Sequence, residues 1–253
     1  MAALDPLRVL ILGGTGEGYE LAAALSEASD LHVVSSLAGR TSRPRLPQGD
    51  VRIGGFGGAG GLAEYLRDCG AGAVIDATHP FAATMGWHAA EAAELVGVPL
   101  LRLERPPWRS GPGDAWDDVG DWDEAAALVR RQARRVLLAI GRQEIAPFAA
   151  IDTAWFLIRA VEAPDPMPAF RHAEILLARG PFDLAGERQL LAEHRIDTIV
   201  CKNSGGAATA AKLIAARELG LRVVMRRRPP RPELPTVSSI AAALAWLRAL
   251  RTR

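Results

Sequence analysis

The feature that most constrains this chain is its rhythm: short apolar runs alternate with stretches of helical periodicity from one end to the other. Each apolar run is the length of a strand, and the amphipathic stretch after it can cover one face, so the alternation predicts parallel βαβ units. In the first half, strands are expected at 8–12, 32–36, 51–53, 73–76 and 99–103, with helices near 17–28, 60–69 and 82–97. Residues 104–121, rich in proline, glycine and tryptophan, break the rhythm and read as a crossing segment. Beyond it, strands are expected at 136–140, 155–160, 175–178, 198–202 and 222–225, with helices near 123–134, 184–194, 207–219 and 237–250. The expectation is an α/β protein of two Rossmann-like parallel-sheet domains, 1–104 and 105–253, with the active site in a cleft between them. The halves share this layout without a repeated motif.

A chain of 253 residues that is 49% hydrophobic has ample material for such cores, and a formal charge of +1 gives no global field for nucleic acid or an anionic membrane. Any anionic partner has to be held locally. The apolar run 9–12 is too short for a secretory core or a membrane span, so a cytoplasmic protein is expected. Cys69 and Cys201 lack neighbours at metal-ligand or disulfide spacing and read as buried small residues; no metal site is expected.

The strand at 8–12 runs directly into Gly13-Gly14-Thr15-Gly16-Glu17-Gly18, and an apolar-periodic helix follows. Glycines let the backbone approach phosphate oxygens, and the positive end of the helix stabilises their charge, so Gly13, Gly14, Thr15, Gly16 and Glu17 are candidate cofactor-binding residues. The spacing is not the standard G-x-G-x-x-G, and a purely structural turn is the alternative. At the end of the second strand an NAD site usually carries an acid for the ribose hydroxyls. This chain has Ser36 there and Arg40 shortly after, a hydroxyl and a guanidinium suited to a 2′-phosphate, which favours NADPH; a solvated loop is the plainer reading.

Further loops fall at the same sheet edge. Gly55, Phe56 and Gly57 follow the third strand, where Phe56 could cover an adenine or cap the core; Thr78 and His79 follow the fourth. His79, before Pro80, either serves the nicotinamide or hydrogen-bonds its own turn. In the second half, Lys202 and Lys212 are the only lysines among thirty basic residues, so a lysine in this arginine-rich chain suggests a specific need. Lys212 falls in an alanine-rich helix and reads as surface, whereas Lys202 ends a buried strand and opens Asn203, Ser204, Gly205 and Gly206. That series reads as a strand, turn and helix site for a carboxylate or phosphate, with a structural turn as the alternative. Arg142, Arg226 and Arg228 also follow strand ends and could meet a polyanionic substrate.

The stretches 10–17, 76–82 (Asp-Ala-Thr-His-Pro-Phe-Ala), 159–162 and 201–206 (Cys-Lys-Asn-Ser-Gly-Gly) together resemble the precorrin-6A reductase family, in order and over essentially the whole chain. The resemblance implies NADPH-dependent reduction of one double bond of precorrin-6A, a polycarboxylate macrocycle, to precorrin-6B in cobalamin biosynthesis. It implies stacking of nicotinamide against the macrocycle, with Lys202 and His79 as catalytic candidates for proton delivery and solvent as another source. Two rivals stand beside it: another NADPH reductase of a small anionic cytosolic substrate, and a non-catalytic NADP-binding sensor. The tyrosine and lysine pair of a short-chain reductase is absent, since neither Tyr19 nor Tyr65 has a lysine four residues on, which speaks against that class.

Overall fold

The computed structural model describes residues 6–39 and 45–251. Its first elements are β1 Leu7–Leu12, α1 Gly16–Ser26, β2 Leu31–Leu37, β3 Asp50–Ile53, α2 Ala59–Asp68, β4 Ala73–Asp76, α3 Ala83–Val96 and β5 Leu100–Leu103. There follow β6 Ala115–Val119, α4 Trp122–Gln132, β7 Arg135–Ala139, a 3-10 turn Ala146–Phe148, β8 Trp155–Ala160 and β9 Ala173–Leu177. The chain closes with α5 Leu184–Glu193, β10 Thr198–Lys202, α6 Ala211–Glu218, β11 Arg222–Arg226, β12 Thr236–Val237 and α7 Ile240–Arg251. These build two six-stranded sheets, ordered β12-β5-β4-β1-β2-β3 and β6-β11-β10-β7-β8-β9, and every strand pairing is parallel. Two Rossmann-like sheets with interleaved helices are the architecture that the apolar rhythm predicts.

Alternation along each strand decides which helix covers which face. In β1, Val9 and Ile11 meet Leu21 and Leu25 of α1 and Leu247 of α7, while Leu10 and Leu12 meet Leu62 and Leu66 of α2 and Ala89 and Ala92 of α3. The second sheet repeats the scheme: Val136 and Leu138 join Trp122 and Val129 of α4, and Leu137 joins Leu191 of α5 and Leu213 of α6. Each fully buried aliphatic side chain of this kind contributes roughly 1.5–3 kcal/mol, so a one-residue slip in register would expose a whole row.

The expected second domain, 105–253, needs correction at its far end, while its start lies within two residues of the observed division. The chain forms one compact unit up to Pro106 joined by Pro229–Arg253, and a second from Pro107–Arg228. After β5 the chain supplies β6 to the second sheet, where it pairs with β11; after β11 it supplies β12 to the first sheet, where it pairs with β5. The segment from Pro229 onward is therefore part of the first unit, because α7 buries Ala243 and Leu247 in that unit's core. Residues 104–121 contain a strand as well as a crossing segment. Cys201 is fully buried, and burial pushes its thiol up from the ordinary range; Cys69, expected buried, is half-buried at the end of α2.

Candidate active site

In both sheets the strand order reverses, between β1 and β4 in the first unit and between β7 and β10 in the second. Ligands of doubly wound sheets sit outside the carboxyl ends of the strands at such points. Among the described residues, the sequence candidates lie at or just past the carboxyl ends of the strands of both sheets.

At the end of β1, Thr15 caps α1: its hydroxyl oxygen accepts from the Gly18 N–H at 3.1 Å and donates to the Ala77 carbonyl at 2.7 Å. Gly14, at φ +106°, takes a backbone conformation that L side chains rarely adopt, and a Cβ built on Gly14 or on Gly16 would meet nothing within 4 Å. Space remains beside the backbone where a pyrophosphate would approach. Gly18, which sequence reasoning passed over, has the opposite role: its Cβ would lie 3.3 Å from the Gly13 Cα and 3.6 Å from the Ala77 Cβ, so α1 approaches β4 closely only with glycine there. Glu17 is engaged by Arg105 at 2.6 Å.

Gly13 N–H bonds the carbonyl of Ser36, which ties the glycine turn to the end of β2. Arg40 lies outside the described residues. A second cation, Arg52 of β3, stands beside this strand end and was missed because it falls inside a strand rather than in the loop after it. Its guanidinium donates to the Gly54 and Gly55 carbonyls at 2.7 Å each, comes within 3.5 Å of the Ser36 hydroxyl, and lies 3.8 Å from the centre of the Phe56 ring. Phe56 also meets Tyr65 with ring centres 5.3 Å apart and planes tilted at 57°, packs on the apolar layer under α2, and Gly57 at φ +79° closes the turn.

At the end of β4, Asp76 is fully buried. One carboxylate oxygen accepts from the Thr78 N–H and hydroxyl at 3.1 and 2.6 Å, and the other accepts from Arg231 at 2.5 Å. Arg231 also binds Glu104 at 2.9 Å, and Arg102 stands 3.7 Å from Asp76. Burial, then the neighbouring Arg231, lowers Arg102 from the ordinary arginine value, while Asp76 and Glu104 act against them. The Thr78 hydroxyl is thus committed to an internal network. His79 Nδ1 accepts from the Phe81 N–H at 3.2 Å, the turn bond anticipated as an alternative, which leaves Nε2 to carry the proton in the neutral ring.

In the second unit, Lys202 ends β10 beside Arg226 of β11, its register partner. Both meet Glu144 in the turn after β7: Lys202 Nζ pairs with one carboxylate oxygen, and Arg226 reaches the other at 3.0 Å. Arg142, from the same turn, pairs with Glu162 at 3.1 Å. Arg228 donates to the carbonyls of Asn203 and Ser204 and so props the turn. The Asn203 side chain both accepts from and donates to the backbone of Trp108, at 2.8 and 2.9 Å, and the Trp108 indole donates to the Gly206 carbonyl. Asn203 therefore fastens the turn to residue 108.

Two expectations fail in this turn. The helix expected near 207–219 begins later, at Ala211, after Gly205 and Gly206, at φ +70° and +77°, have turned the chain. Lys212 is buried, not surface: its ammonium donates to the Thr209 carbonyl at 2.6 Å and sits 4.7 Å from the centre of the Trp108 ring. The Arg159 stretch is also structural in part, since Arg159 forms a buried 2.7 Å pair with Glu187. Among the described residues no group of histidine, cysteine, aspartate and glutamate has the arrangement of a metal site, and no helix is long and apolar enough to cross a membrane.

Residues 8–248 match the family model described as precorrin-6x reductase CbiJ/CobK. The chain belongs to the precorrin-6x reductase family. Within it, the chain is similar to the precorrin-6A reductase of Rhodococcus erythropolis, 53% identical over 248 residues that cover 97% of this chain and 99% of that protein. The precorrin-6A reductase of Mycobacterium tuberculosis is 49% identical over 247 residues, covering 97% and 99%. A solved structure of CobK precorrin-6A reductase superposes with a TM-score of 0.92 at 41% identity, covering 96% of this chain and 97% of that one. Membership in this reductase family implies a nicotinamide cofactor.

Proposed function

We propose that the chain reduces one double bond of precorrin-6A with NADPH, giving precorrin-6B in cobalamin biosynthesis, as a cytoplasmic enzyme. The observation that carries this reading is the open backbone turn at Gly16, found in a chain that matches precorrin-6A reductases along its whole length. The turn fits a dinucleotide: Gly13, Gly14, Thr15 and Gly16 would receive the pyrophosphate on backbone N–H groups. Ser36 and Arg52 would meet the 2′-phosphate with Arg40, since no acid stands at the end of β2 to favour NAD. When bound, the cofactor supplies the hydride.

The chain's own residues do the remaining work. Lys202, Arg142, Arg226 and Arg228 would hold carboxylates of the macrocycle at the carboxyl edge of the second sheet, with the turn Asn203–Gly206 setting where the lysine stands. The carbon next to the one that takes the hydride needs a proton, which would come from the Lys202 ammonium, or from His79 once protonated to the imidazolium, a form that gives up the bond from the Phe81 N–H. Anaerobic incubation of the purified protein with precorrin-6A should consume one NADPH per macrocycle reduced. Binding of NADPH with no oxidation in the presence of precorrin-6A would favour a non-catalytic sensor instead.

A further inference from the structure

Glu144 was not singled out by sequence, yet three other elements converge on it. It lies in the turn after β7; Oε1 accepts from the Arg226 guanidinium of β11 at 3.0 Å and from the Trp122 indole N–H of α4 at 3.1 Å. Its Oε2 faces the Lys202 ammonium of β10. Arg226 in turn lies 4.7 Å from the centre of the Trp122 ring. With two donors on Oε1 the carboxylate cannot rotate freely, so the position of Oε2 is fixed by groups other than the lysine. A lysine has a flexible four-carbon stem with many rotamers; a fixed charge-assisted partner narrows its ammonium to one location. Lys202 and Arg226 are also adjacent like charges in register, and the shared carboxylate is what lets both stand at this strand edge.

We infer that Glu144 is a positioning residue that acts on the reaction through Lys202. This rests on the proposed role of Lys202 at the substrate. The test is a double-mutant cycle of Glu144→Gln and Lys202→Met, reading kcat, KM for precorrin-6A, NADPH affinity and melting temperature. Glu144→Gln should lower kcat roughly tenfold, with NADPH affinity close to that of the parent; the melting temperature should fall, since two adjacent cations lose their shared carboxylate. In the Lys202→Met background the same substitution should change kcat by less than about twofold. Glu144→Asp, which keeps the charge but shortens its reach, should fall between. Should Glu144→Gln fold poorly, Trp122→Phe removes one of the two donors on Oε1 and should lower kcat with NADPH affinity retained. Independent, multiplying effects of the two substitutions would overturn the inference, as would full kcat in Glu144→Gln when Lys202→Met is impaired. Full activity in Lys202→Met would sink the role of Lys202 itself, and this inference with it.

Discussion

The two sheets have the same strand order and opposite kinds of edge. At the carboxyl edge of the first, the chain presents bare backbone: a Cβ at Gly14, Gly16, Gly54, Gly55 or Gly57 would meet nothing within 4 Å. At the corresponding edge of the second, side chains dominate, with Lys202, Arg226 and Glu144 in one cluster and Arg228 beneath the Asn203 turn. A phosphate common to every dinucleotide suits backbone N–H groups, which need no side-chain ordering. A substrate recognised by the placement of its carboxylates suits cations held by partners. One topology thus supports two recognition strategies, decided by the residues just past the strand ends.

The largest expected effect lies on the side-chain edge. Lys202→Met should lower precorrin-6A reduction roughly a hundredfold or more if the lysine delivers the proton, while NADPH binding persists. Lys202→Arg sharpens this: a guanidinium anchors carboxylates but is effectively never deprotonated, so retained rate assigns anchoring and lost rate assigns proton delivery. On the backbone edge, Gly18→Val should cost roughly 1–3 kcal/mol of stability, seen as a lower denaturation midpoint, because its Cβ would press on the Gly13 backbone. A stability equal to the parent would mean that α1 shifts without penalty. A smaller change is expected for Arg52→Ala, which should weaken NADPH about tenfold, near 1.4 kcal/mol, with NADH nearly unaffected. Equal loss of both cofactors would remove Arg52 from the 2′-phosphate and leave it as a brace for the Gly54–Gly55 turn.

Both sheets were legible in the sequence because parallel strands are written as short apolar runs, and ten such runs align with strands of the structure, the exposed edge strands β3 and β9 among them. The two missed strands lack that signal. Ala115–Val119 is an edge strand carrying Asp117 and Asp118, with its first four residues exposed or half-buried, and Thr236–Val237 is two residues long. The exchange of these strands between sheets leaves no local trace, since it depends on pairing partners more than a hundred residues away. The Gly13–Gly16 turn was legible as a turn, but the contrast between Gly16, which faces open space, and Gly18, which faces backbone, appears only once α1 is packed. Likewise, Lys202 stood out by its rarity, whereas Glu144 is one acid among many until three other elements bring donors to it.

Whether the first unit receives its cofactor through open backbone is read by NADPH titration of Gly16→Val in a calorimeter. Gly16 has an ordinary backbone φ and an unobstructed Cβ direction, so the variant should fold, with a circular dichroism spectrum and melting temperature like those of the parent. The branched side chain would then fill the space in which the pyrophosphate must lie, and NADPH binding heat should disappear. A folded Gly16→Val protein that binds NADPH with the parent's affinity would contradict the account and move the pyrophosphate away from this turn.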